Sequence, residues 1–200
     1  MARILTIDPE QARGPRKLLF WMNKRQYGGV VPGILKIASY DLNLGVPSGR
    51  LYNYLHLRKS SPLTRLQREM LATVVNGLVG GAPLLGLHTA TVRRLTKDEH
   101  LRAEFATTWP QYDLDAKTRA LLTYAKQLTQ EPSMVEDSDI EDLRAAGWEE
   151  QGIYEATALI SFFNFSGRME AASGLPMDRI PEKAKVPEAS PGKPTVSAHI

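Results

Sequence analysis

Residues 61–79 read SPLTRLQREMLATVVNGLV, and the spacing within them decides the fold class. Thr64 suits a helix N-cap, Gln67 completes a capping box, and Leu66, Met70, Leu71, Val74, Val75 and Leu78 recur at three- and four-residue intervals. That is the period of an amphipathic helix with one face turned to a core. Gly80 and Gly81 break it, and Pro83 suits the first turn of a second helix that carries His88.

Outward from this pair the same periodicity continues, and no segment alternates as a strand does. Upstream, PRKLLFWMNKRQYG presents Leu18, Leu19, Trp21 and Met22 as an apolar face and stops at Gly28. YGGVVPGIL reads as a turn, followed by a helical segment from Leu35 to Leu44 and by PSGRLYNYLHLR, with Ser48 as its expected cap. Downstream, DLDAKTRALLTYAKQLTQEP begins at an Asp cap and places Leu121, Leu122, Ala125 and Leu128 inward. EDSDIEDLRAAGW is a short helix closed by Gly147, and EEQGIYEATALISFFNFSGRMEAASG is a long helix, apolar on most faces, to be buried against other helices or another subunit. The expected fold is all-α, in one domain over residues 1–178 with about seven or eight helices. Residues 179–200, rich in Pro, Lys and Ser, are expected to form a flexible tail.

Composition bounds the function. The chain has 200 residues, 42% of them hydrophobic, and no apolar run of the length that a membrane span requires. Of the formal net charge of +3, the tail accounts for two: Arg179, Lys183, Lys185 and Lys193 stand against Glu182 and Glu188. No stretch clusters basic residues with aromatics, so neither a nucleic acid nor a membrane is an expected partner. The first residues lack the apolar segment of a secretory signal, which gives a cytoplasmic expectation. There is no cysteine. Disulfides, thiolate metal sites and cysteine redox cycles are therefore excluded within this chain.

The segments YGGVVPGIL, SPLTRLQREMLATVVN, His88, LLTYAKQLTQEPSMVEDSDIEDLRAAGW and FFNFSGRMEAASGLP together resemble the AhpD-like (alkylhydroperoxidase D-like) and carboxymuconolactone decarboxylase superfamily, in its peroxidase-related branch. The resemblance runs over residues 9–178. It implies an all-helical fold assembled as a homo-oligomer (dimer, trimer or hexamer). It also implies an active site built as a relay: a glutamate, a CxxC pair at the start of the next helix, and a histidine one turn later. The glutamate matches Glu69 and the histidine His88, while Gly81 and Leu84 stand where the two cysteines belong. The family's FNFxNR pattern reads FNFSGR, with Gly167 in place of Asn and Arg168 kept. Lactone-decarboxylase members of the superfamily work without the cysteine pair.

Glu69 and His88 are thus the candidate catalytic residues, a carboxylate and an imidazole able to share a hydrogen bond in an apolar setting and move protons. The start of the second helix, Gly81 to Leu84, is expected to offer free backbone N–H groups to an anion or enolate oxygen. Tyr27 and Arg168 match positions near the family's pocket, and either could bind a substrate carboxylate. His56 lies beside Tyr52 and Tyr54, which could line a pocket, although a surface or interface helix is the simpler reading. A catalytic metal is not expected, because Glu69 and His88 leave only His56 as a third ligand. No cofactor is expected either. The reading is a cofactor-free lyase, decarboxylase or isomerase acting on a small organic carboxylate or carbonyl compound, with a non-catalytic binding homologue and an alkylhydroperoxidase-like oxidoreductase as alternatives.

Overall fold

Thr64 caps its helix as its sequence requires: Thr64 Oγ1 accepts from the Gln67 N–H (3.2 Å), and the Gln67 side chain accepts from the Thr64 N–H (2.9 Å). The computed structural model describes residues 2–101, 103–179 and 181. Among them are nine α-helices and no strand: α1 (Pro15–Gln26), α2 (Gly33–Ala38), α3 (Leu42–Tyr52), α4 (Arg65–Val79), α5 (Ala82–Thr96), α6 (Phe105–Thr108), α7 (Ala116–Gln130), α8 (Asp137–Ala145) and α9 (Glu150–Ser173). The all-α expectation holds, and two of the nine helices are only six and four residues long. Apart from Arg179 and Pro181, the expected tail lies outside the described residues.

α4 is the axis of the molecule. Leu71, Ala72, Thr73, Val74, Val75 and Asn76 are all fully buried, because α5, α6, α7 and α9 pack around it. Burial on every side explains why the helix tolerates no charge in its second half. α7 starts at Asp115, whose Oδ1 accepts from the Thr118 N–H (2.8 Å), and turns Leu121, Leu122 and Ala125 inward as expected. α8 ends before Gly147, which sits at φ 92°. α4 ends at Gly80, at φ 76°, the left-handed residue that lets the chain reverse into α5.

Two local expectations are corrected. The segment from Leu35 to Leu44 is not one helix, and Ser48 is not a cap: Asp41 caps α3 by accepting from the Asn43 N–H (2.9 Å), and Ser48 lies inside α3, donating to the Leu44 carbonyl (2.7 Å). In α1 the predicted apolar face points out. Leu18, Trp21 and Met22 are more than half exposed, and Phe20 is the residue turned inward, packing with Ala12 and Val31 in a small cluster apart from the main core. Periodicity detects that a face exists, but the core is chosen by which residue finds partners.

Candidate active site

Three separate elements deliver one cluster. Glu69 sits one turn into α4, His88 in the middle of α5, and His56 on a π-helical turn (Asn53–Leu57) that extends α3. Such turns widen the helix and re-aim its side chains, often at functional sites. His56 Nε2 lies 3.0 Å from Glu69 Oε1, and His88 Nδ1 lies 2.6 Å from Glu69 Oε2. Arg65, one turn earlier on α4, pairs with Glu69 Oε1 and also donates to the His56 carbonyl (3.3 Å). All three members of the His–Glu–His group are at most 1% exposed. Phe163 of α9 stands edge-on to both imidazoles, at 5.3 and 5.1 Å, and Tyr52 stacks on His56 at 5.1 Å.

The protonation pattern follows from this geometry. Burial alone would raise the Glu69 carboxyl, but the charge and hydrogen bonds of His56 and His88 outweigh it and hold the group well below the usual carboxylate range. Burial pushes the His56 imidazole down to about 4 against the opposing pull of Glu69. Glu69 is therefore ionised, and each imidazole donates to it, His56 through Nε2–H and His88 through Nδ1–H. His56 Nδ1 and His88 Nε2, the ring nitrogens turned away from Glu69, are buried and have no hydrogen-bond partner among the described residues. A carboxylate that fixes the tautomer of an imidazole and leaves its other nitrogen free is the arrangement that makes histidine a general base.

His56, Glu69 and His88 are also the residues that could hold a metal, since their donor atoms lie within 4.8 Å of one another. Two observations weigh against a resident cation: Arg65 already pairs with Glu69, and among the described residues neither outer nitrogen has the acceptor that ligating histidines use to fix their orientation.

A cavity of about 900 Å³ adjoins the cluster. Tyr27, Tyr52, Leu84 and Leu87 belong to its wall, whereas the His–Glu–His group does not. Burial raises the Tyr27 phenol to about 12 and the Tyr52 phenol well above its ordinary value, with the Glu69 charge adding to both, so each remains an O–H donor at neutral pH. Leu84 precedes His88 by one turn on the same face of α5, placing an apolar side chain between cavity and imidazole.

The start of α5 departs from expectation. No N–H is left for an anion: Gly81 N–H donates to the Asn76 carbonyl (2.8 Å), Ala82 N–H to the Gly80 carbonyl (2.9 Å) and Leu84 N–H to Glu170 Oε2 (3.0 Å), while Pro83 has none to give. Gly81 does not line the cavity. A Cβ there would meet Asn76 Oδ1 at 2.5 Å and the Gly167 Cα at 2.9 Å, and one on Gly167 would meet Val79 Cγ2 at 2.6 Å. The two glycines let α9 press against the α4–α5 turn. Arg168 lies on the outer side of α9, exposed, bound to Asn164 and directed at the Thr129 carbonyl, away from the cavity.

The structure thus brings together Glu69, His88 and His56, sets Tyr27 and Leu84 in the adjoining wall, and leaves Gly81 and Arg168 elsewhere. His56 is no surface residue, as the simpler reading had it, but wholly buried. Of the two tyrosines offered as pocket residues, Tyr52 lines the cavity and Tyr54 does not, while sequence reading missed Arg65, Phe163 and Glu170. Arg65 had a signal, four residues before Glu69 on one helix face. Glu170, an acid between Met169 and Ala171 of α9, had another; its buried carboxyl is pushed well above the usual range.

Comparison with known proteins follows the same line. No family model matches the sequence, and no curated protein matches it significantly. Among solved structures, an uncharacterized peroxidase-related protein from Silicibacter sp. TM1040 is similar at 27% identity, over 86% of this chain and 90% of that one, with a TM-score of 0.73. A second, described as an alkylhydroperoxidase AhpD core protein from Ralstonia eutropha JMP134, gives 19% identity over 94% and 98% of the two chains, with a TM-score of 0.76. The chain has an AhpD-like fold without cysteine. The debrominase Bmp8 shares the AhpD-like fold at 17% identity, over 88% and 92% of the chains, with a TM-score of 0.67. No helix among the described residues of this AhpD-like chain is long and apolar enough to cross a membrane.

Proposed function

We propose that this AhpD-like chain is an acid–base enzyme, of lyase or isomerase type, that acts on a carbonyl compound held in the cavity. One observation carries the reading: an ionised carboxylate, 1% exposed, grips two imidazoles beside a chamber of substrate size. His88 is the base. Its Nε2 takes a proton from the carbon next to the carbonyl, and Glu69, bonded to Nδ1–H, stabilises the imidazolium that forms. Tyr27 and Tyr52 are neutral O–H donors in the wall, suited to the oxygen where negative charge develops. Leu84 must turn aside to admit the substrate carbon. His56 and Arg65 keep the carboxylate oriented. A solved complex of Bmp8 with 2,3,4-tribromopyrrole supports the idea that this fold can seat a compact ring compound. Thiol peroxidation has no nucleophile in a chain without cysteine.

Deuterium exchange from solvent into a panel of ketones and keto acids, followed by NMR, tests the assignment. Glu69→Gln and His88→Ala are each expected to lose at least ~100-fold in exchange rate, the scale of a general base and its partner. Full exchange in both variants would remove the reading. The burial of His88 behind Leu84 favours a second one, a binding protein without chemistry, for which ligands bind and no exchange occurs.

A further inference from the structure

The cavity has a charge pattern that the size of its opening conceals. Among the described residues that line it, Asp41 is the one charged group, and no Lys, Arg or His contributes to the wall. Arg65 is already paired with Glu69, and Arg16, outside the wall, donates to the Ser39 and Tyr40 carbonyls (2.7 and 3.4 Å). A carboxylate placed in the chamber would leave water with no counter-charge and would face Asp41, an arrangement that costs more than it returns. The polar side chains near the rim are largely occupied: Asn23 donates to the Leu19 carbonyl (2.8 Å) and Ser48 to the Leu44 carbonyl (2.7 Å). The polar groups left inside the wall are the buried phenol of Tyr27, the partly buried phenol of Tyr52 and the buried hydroxyl of Ser166, which has no partner among the described residues. Apart from Asn53, exposed at the rim, and Met169, the rest of the lining is aliphatic, aromatic or glycine, and the rim exposes Leu5, Tyr40, Leu44 and Phe165. At about 900 Å³ the chamber falls at the upper end of sites that enclose drug-sized molecules, well beyond what a small organic acid fills.

We infer that the cavity binds an uncharged, largely apolar molecule, ring-containing or long-chained, whose one hydroxyl or carbonyl oxygen is addressed by Tyr27, Tyr52 and Ser166. The inference rests on the cavity being the substrate chamber of the proposed enzyme, and it narrows the substrate from carboxylates to neutral carbonyl or hydroxyl compounds. It concerns binding, so it can be judged apart from catalysis.

The test uses the full chain and the neutral dye Nile red, whose fluorescence reports an apolar site, with naphthol and naphthoate as competitors of equal ring size at neutral pH. Nile red is expected to bind with one-to-one stoichiometry, and naphthol to displace it at a concentration about tenfold below naphthoate. In the wild-type chain, dye binding without any solvent exchange overturns the enzyme and leaves this inference standing, whereas exchange without dye binding does the reverse. Leu44→Arg places a cation at an exposed rim position, where folding is not at risk, and should bring naphthoate level with naphthol or ahead of it. Equal or stronger competition by naphthoate in the wild type would overturn the inference. So would an unchanged preference in Leu44→Arg, or absence of dye binding by a chain that sediments as an oligomer, which would assign the apolar rim to a second copy.

Discussion

The α4–α5 pair contains two places where the resemblance puts reactive groups, and they have diverged. One turn into α4 and halfway along α5, Glu69 and His88 keep their hydrogen bond and gain His56 and Arg65. At the turn between the helices, where the cysteine pair would sit, Gly81 is pressed against Gly167 and Leu84 forms cavity wall. The first place is held by polar contacts between elements distant in sequence, the second by close packing of backbones. On the proposed reading, proton transfer needs a fixed carboxylate and imidazole, which this chain has, whereas thiol redox chemistry needs cysteines, which it lacks, and the start of α5 is filled by α9 and Glu170.

The largest test strikes the retained half. Glu69→Gln removes the charge that both imidazoles and Arg65 address, and is expected to lower stability by about 3–5 kcal/mol, the scale for breaking a buried charge cluster, besides its effect on exchange. Chemical denaturation measures it; a loss under about 1 kcal/mol would show that the cluster is not the buried unit described. The closed half is probed by Gly81→Ala. Gly81 has φ −72°, so the residue is free of backbone strain and the cost is steric alone, about 1–3 kcal/mol of overpacking read as a lower Tm. An unchanged Tm would mean that the turn can yield to the added methyl group.

Smaller effects separate the two halves by pH. Unfolded His56 takes a proton near 6.5 and folded His56 only near about 4, so the unfolded chain binds more protons between these values. Stability is expected to be complete above 6.5 and to fall as the pH drops toward about 4. His56→Gln, which can still donate to Glu69, should flatten that part of the profile. Asp178 behaves in the opposite sense. Burial raises its carboxyl to about 6 from 3.8, despite the Gly33 N–H it accepts at 2.9 Å, so its stabilisation is complete below 3.8 and lost as the pH rises through about 6. Asp178→Asn should therefore gain on the wild type above about 6 in denaturant midpoints, with little difference at low pH. The smallest change is expected from Arg168→Ala, whose exposed side chain touches neither half: less than about 0.5 kcal/mol and no effect on dye binding.

What could be read in advance divides along local and non-local lines. Thr64 with Gln67, Asp115 and Gly147 fixed helix ends because capping is settled within a few residues. Glu69 and His88 were legible as a pair through their spacing within a resembling segment. His56 was not, since only a π-helical turn aims it inward and that turn has no sequence signature of its own. The free N–H groups expected at Gly81 failed for a similar reason: Glu170 reaches Leu84 from 86 residues away in the chain.

The sequence alone determined an all-helical chain, several of its helix ends, the absence of thiol chemistry and the pairing of one carboxylate with one imidazole, because periodicity, capping and composition are properties of short stretches. The tertiary structure alone decided that Phe20 rather than Trp21 turns inward, that His56 joins Glu69, that the helix start is closed, and that the chamber beside it carries no cation. Each of those depends on which surfaces meet when α1, α3, α5 and α9 pack around α4, and burial, which sets both the charge state of Glu69 and the character of the cavity, exists only once they have met.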